Sequence, residues 1–135
     1  MNYPLSSIDG LSAADAAKLK AAGIRTASKL LDAAASAKGR KALALATGFS
    51  ERQLLDWANF VDCMRIKGMG RAKGEILRAS GVRTLRELTQ RNPAKLAMSM
   101  EEINQKRRLV RGRITEQSVG QIIDRARKLP FKITY

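Results

Sequence analysis

The chain has 135 residues, no histidine, a single cysteine and a formal net charge of +14. That length allows one ordinary domain with a real core. The missing imidazoles exclude histidine acid–base chemistry and most zinc sites, and a lone Cys63 excludes an internal disulfide.

Tyr3 to Ile8 reads as a short lead-in turn or helix. Ser12 to Ala22 comes next as a helix that Gly23 stops. Thr26 caps a second helix from about Ala27 to about Ala37, and Lys38–Lys41 is expected as a loop or the start of the next turn. Residues 41–47 form a short helix closed by Gly48. Ser50-Glu51-Arg52-Gln53 has the form of a capping box, and Leu54, Leu55, Ala58, Val61 and Cys63 after it make one apolar stripe. Arg71 to Ser80 is a helix stopped by Gly81, and Thr84–Glu87 is a second box. Asn92-Pro93 opens another helix as cap and first residue, with Ser99–Glu102 as a further box. Thr115 caps the last helix and Pro130 ends it, leaving 131–135 as an extended or disordered tail. No window of 18 apolar residues occurs, so no transmembrane helix is expected. MNYPLSSIDG lacks a basic region followed by an apolar run, so a secretory leader is not expected either, and the expected setting is cytoplasmic.

The organisation lies in a duplication. IDGLSAADAAKLKAAGIRTASKLL at 8–31 recurs as IKGMGRAKGEILRASGVRTLRELT at 66–89, offset by 58 residues without a gap. Ile8/Ile66, Gly10/Gly68, Leu19/Leu77, Gly23/Gly81 and Thr26/Thr84 coincide. Each copy is a glycine turn, a short helix and a second glycine turn, which is the form of a helix-hairpin-helix unit. The expected fold is therefore all-α. Two tandem helix-hairpin-helix repeats, 1–63 and 64–130, would pack as one compact pseudo-two-fold domain of short helices.

The second copy carries the stronger chemical signal. In Lys67-Gly68-Met69-Gly70-Arg71 two glycines let the backbone turn tightly at the positive end of a helix. Its N–H groups would hold a phosphate, with Lys67, Arg71 and Lys73 supplying charge. The first copy reads Asp9-Gly10-Leu11-Ser12, an acid before the first glycine and a serine in place of the second. Gly10, Leu11, Ser12 and Lys18 are a weaker site there, and this hairpin is expected mainly to hold the fold together. Charge shows the same division. Residues 1–63 hold 8 basic and 6 acidic residues, net +2, whereas 64–135 hold 18 and 6, net +12. Such a basic half steers toward polyanions.

Beyond the repeat, Ser50…Trp57 aligns with Thr115…Ile122 at an offset of 65, so the second half has seven extra residues. They fall near Lys106-Arg107-Arg108-Leu109-Val110-Arg111-Gly112-Arg113, the densest basic run. Lys106, Arg107, Arg108, Arg111 and Arg113 are read either as a solvated face or as a second phosphate contact or acidic-partner dock.

These segments, with LALATGFSERQLLDWANFVDCMRIKGMG, RNPAKL and RARKLP, make the chain resemble a bacterial family of tandem helix-hairpin-helix proteins catalogued as a domain of unknown function. The resemblance implies two hairpins about a pseudo-two-fold and a nucleic-acid role, with Ser12 departing from the family's glycine.

Three function classes are to be weighed. The leading one is a non-enzymatic, largely sequence-independent DNA-binding module that contacts the phosphate backbone through the second hairpin and a basic surface. DNA is favoured over RNA because stacking aromatics are scarce, 4% of the chain. The second is a protein-interaction adaptor whose basic run docks an acidic partner, with Met64, Met69, Met98 and Met100 as a contact face if they are not core. The third, an enzyme, is not expected. The 12 carboxylates are scattered, and Asp56 and Asp62 point to different faces of one helix. No cofactor and no metal are expected, and oligomeric state is open.

Overall fold

Most helices here start at hydroxyl or amide caps, and several stop at or just before a residue with positive φ. In the computed structural model, which describes residues 3–135, eight α-helices come after a 3-10 turn at Leu5–Ser7. They are α1 (Ala13–Ala21), α2 (Ala27–Ala34), α3 (Ala37–Thr47), α4 (Glu51–Met64), α5 (Gly70–Ala79), α6 (Leu85–Thr89), α7 (Pro93–Arg107) and α8 (Glu116–Arg127). No strand occurs among the described residues, only an isolated bridge between Pro4 and Thr26. The fold is all-α. Met1 and Asn2, which begin the segment read as lacking a leader, lie outside the described residues. No described helix is long and apolar enough to cross a membrane.

The caps are local and specific. Ser12, Thr26, Ser50, Thr84, Asn92 and Thr115 each accept a backbone N–H from the residue three further on. Each such bond satisfies one otherwise orphaned donor and contributes about 1 kcal/mol. Three expectations need correction. Ser36 ends α2 early: its Oγ accepts the Gly39 N–H at 3.0 Å, so Lys38–Lys41 belongs to α3 and not to a loop. Ser99 starts nothing, because α7 runs through it from Pro93 to Arg107. The expected stripe on α4 is an underestimate, since every residue from Trp57 to Met64 is buried, Asn59 and Asp62 included.

The chain divides into two units, the first reaching Asp62 and rejoined by Lys132–Tyr135, the second Cys63–Phe131. In the second unit α8 packs on α7 and α6, and α5 packs on α7. Ile66, Met69, Leu77, Leu88, Met100 and Ile123 are among its core residues. Met64 is buried as well, whereas Met98 is 74% exposed, so three of the four methionines weighed as a contact face are interior.

The last residues are not a loose appendage. In the first unit the Thr134 N–H donates to the Ala35 carbonyl at 2.8 Å, and Ile133 is buried. Arg40, only 5% exposed, donates through Nη1 to the Ala34 and Ala35 carbonyls and through Nη2 to the Thr134 carbonyl at 2.7 Å. Its guanidinium therefore caps the C-terminal end of α2 and clamps the tail. Tyr135 adds its hydroxyl to Asn59 Oδ1 at 3.2 Å, and Lys132 pairs with Asp32. Arg40→Met removes the guanidinium from the Ala34 and Thr134 carbonyls, while Ala35 keeps the Thr134 N–H, and should lower the unfolding free energy by about 2–4 kcal/mol. Urea denaturation checks this, and a loss below about 0.5 kcal/mol, the ordinary surface range, would show that the clamp carries no weight.

Candidate nucleic-acid interface

Both copies of the repeat build the same turn. The Leu11 N–H donates to the Ile8 carbonyl at 3.2 Å and the Met69 N–H to the Ile66 carbonyl at 3.1 Å. Gly10 and Gly68 hold the third turn position at φ +81° and +88°. A 1→4 hydrogen bond with positive φ at the third residue is a type II turn, and it demands glycine there. The second turn repeats too. Ile24 N–H reaches the Leu19 carbonyl at 2.9 Å, Val82 N–H reaches that of Leu77 at 3.2 Å, and Gly23 and Gly81 sit at φ +89° and +92°.

The copies part at the start of the next helix. Ser12 closes a reciprocal box: its Oγ accepts the Asp15 N–H at 3.1 Å, and its own N–H donates to Asp15 Oδ2 at 3.0 Å. Leu11 spends its amide inside the turn and Lys18 lies over the Phe49 ring at 5.5 Å. Gly10 is exposed, but the helix end beside it is occupied by the chain's own carboxylate. At the equivalent place Gly70 has φ +63°, Met69 is the cap residue, and no side chain caps α5. The first amides of α5 therefore keep the anion-seeking character of a bare helix end.

The predicted donors do not all survive. Met69 is buried and its N–H is used by Ile66, so it is not a phosphate donor. Arg71 is exposed but already engaged within the fold. Lys67 and Gly68 are exposed, Gly70 and Lys73 half-buried. One residue was not foreseen. Arg125, from α8, donates through Nη1 to the Lys67 carbonyl at 2.8 Å. Gly68 is required for its dihedral at φ +88°, and a Cβ there would come within 3.1 Å of that nitrogen, so the Arg125 guanidinium would have to shift slightly. Arg125 brings a full cation to the turn, and only its place in RARKLP, a basic end to the last helix, hinted at it.

The 106–113 run is built separately. Helix α3 ends with Gly48 at φ +82°, its N–H on the Ala44 carbonyl, while α7 ends in the same manner with Arg108 at φ +52° and its N–H on the Asn104 carbonyl at 2.7 Å. Arg108 is the only described non-glycine residue with positive φ. Buried Asn104 organises the loop after α7: Nδ2 donates to the Val110 and Gly112 carbonyls, and Oδ1 accepts the Val110 N–H at 2.9 Å. Val110 packs on the core while Leu109 stays out at 37% exposure. Lys106 pairs with Glu102 and Arg113 with Glu101, so two of the five cations are partly neutralised. Arg107, Arg108 and Arg111 are exposed. This loop leads into Thr115 at the start of α8, whereas Arg125 lies ten residues on. At 1.5 Å per residue Thr115 and Arg125 stand about 15 Å apart along that helix. The structure thus gathers Lys67, Gly68, Gly70, Lys73 and Arg125, and holds the arginine loop at the other end of α8.

The family described as domain of unknown function DUF4332 covers residues 9–129. No curated protein and no solved structure matches the chain. The chain belongs to that DUF4332 family.

Two variants check the loop's construction. Arg108→Gly relieves the left-handed strain against a smaller entropic loss, and should stabilise by roughly 0.5–1 kcal/mol in urea titration. Asn104→Ala leaves three backbone groups without their partner and should cost about 2–3 kcal/mol. A destabilised Arg108→Gly would show that the arginine side chain itself holds the loop.

Proposed function

We propose that this DUF4332 protein is a non-enzymatic DNA-binding module made of two tandem helix-hairpin-helix repeats, and that it grips the phosphate backbone through the second hairpin. The observation that carries this reading is the contrast between equivalent helix ends. Helix α1 is closed by Ser12 and Asp15, while α5 has no side-chain cap and has Lys67, Lys73 and Arg125 around it. A bare helix end with nearby cations suits a phosphate oxygen. Contacts to phosphate position a protein without reading bases, so sequence preference is expected to be weak. The concentration of net charge, +12 of +14, in residues 64–135 supports the same reading.

Binding should fall steeply with salt. If about three phosphates are neutralised, the log–log slope is about −2.7, so raising NaCl from about 50 to about 300 mM weakens binding roughly 100-fold. Fluorescence anisotropy on a blunt duplex measures it, and salt-independent affinity would end the proposal. The Gly68→Val/Gly70→Val variant should lose most affinity while circular dichroism stays helical. Lys67→Ala/Lys73→Ala, which leaves the turn's dihedrals alone, should lose about two phosphate contacts and flatten the slope by about 1.8.

A further inference from the structure

The arginine loop does more than add charge. With the end of α7 it bounds a cleft of ≈ 680 Å³ lined by Glu101, Asn104, Gln105 and the segment from Arg108 to Arg113. That volume lies in the range of small-ligand sites. Two of the polar groups in its wall are spent. Asn104 is saturated by Val110 and Gly112, and the Glu101 oxygens take the Ile114 N–H and the Arg113 Nε. What remains is two guanidinium groups without an ion-pair partner among the described residues, Arg108 and Arg111, the exposed amide of Gln105, and the apolar flank of Leu109.

The geometry points to an unpaired nucleotide of a DNA end as the occupant of this cleft, which rests on the duplex-binding reading above. A guanidinium binds phosphate bidentately and its plane stacks on a base. Leu109 offers an apolar surface for the other part of the base, and Gln105 offers both a donor and an acceptor for its edge. A stacked, paired base exposes no face to such a site, whereas an unpaired one does. The left-handed Arg108 fits a site of this kind. The first half caps its equivalent helix with Gly48, and the second half keeps an arginine at a position that favours glycine. The separation also fits. The length of α8 between Thr115 and Arg125, about 15 Å, corresponds to about four nucleotides of one strand at 3.4 Å each, so a DNA molecule held at the Arg125 end is long enough to run to the loop end of that helix.

The test compares, by anisotropy, a blunt duplex with the same duplex carrying a three-nucleotide overhang, and with an overhang whose bases are removed. The overhang is expected to bind about tenfold tighter than the blunt end, the low end of what a base–aromatic stack is worth, carried over to a guanidinium and leucine stack, and the abasic overhang to lose most of that gain. Leu109→Ala and the Arg108→Gly/Arg111→Ala variant should bring the overhang-to-blunt ratio near one. The Gly68→Val/Gly70→Val variant should weaken both substrates while keeping their ratio. A wild-type ratio near one, an abasic overhang as good as the intact one, or a ratio unmoved by Leu109→Ala overturns the inference and leaves duplex binding by the hairpin intact. Tight overhang binding, lost in Leu109→Ala, with no binding of blunt duplex overturns the hairpin reading and supports the cleft.

Discussion

The hydrogen bond from the Met69 N–H to the Ile66 carbonyl sets the shape of the second glycine turn and of everything around it. It closes a turn that sends Ile66 and Met69 into the core and leaves Lys67 and Gly68 outside. Burial of the two apolar side chains fixes the turn, each contributing about 1.5–3 kcal/mol. The exposed pair is thereby held on a rigid base rather than on a mobile loop. Arg125 then approaches to 2.8 Å from the Lys67 carbonyl, an approach that the missing Gly68 side chain permits.

Duplication makes the divergence readable. The two halves agree where dihedrals and buried side chains are at stake: the 1→4 turn bonds, the four glycines at positive φ, the threonine caps. They disagree at Ser12 against Gly70, and at Gly48 against Arg108. Each difference removes a stabilising device from the second half, first a capping box and then a glycine at a left-handed helix end. Stability alone favours the first half's solution at both places. The second half instead leaves a helix end uncapped and puts an arginine under backbone strain, and both changes occur on the strongly basic unit.

The sequence reading succeeds where the signal is local. Caps at Ser12, Thr26, Ser50, Thr84, Asn92 and Thr115 show because a hydroxyl or amide before an apolar run acts on a backbone group three residues away. Ser99 resembles them but comes after Leu96, Ala97 and Met98, good helix formers with no break before it, so the helix continues. Ser36 was hidden by the opposite effect, an alanine-rich stretch in which nothing else marks the end of α2. Helix α4 misled because Asn59 and Asp62 look like an outward face, while the structure buries both. The remaining misses are long-range. Arg40 on Thr134 and Arg125 on Lys67 join residues 94 and 58 positions apart, and no local pattern encodes such pairs.

Charge counting alone would have ranked the 106–113 run above the hairpin, since it holds five cations in eight residues. Contacts reverse that ranking. Glu102 and Glu101 already hold Lys106 and Arg113, and the exposed Lys106–Glu102 pair contributes little to stability. They do, however, lower the field that a polyanion meets at the loop. The Lys67–Lys73 turn has fewer cations, but Lys67 and Lys73 flank the uncapped start of α5 in sequence and Arg125 reaches the Lys67 carbonyl, so charge and helix dipole have the same sign there. The loop's contribution therefore lies in shape. Asn104 fixes its backbone, Val110 anchors it, and Arg108, Leu109 and Arg111 are left exposed along the cleft.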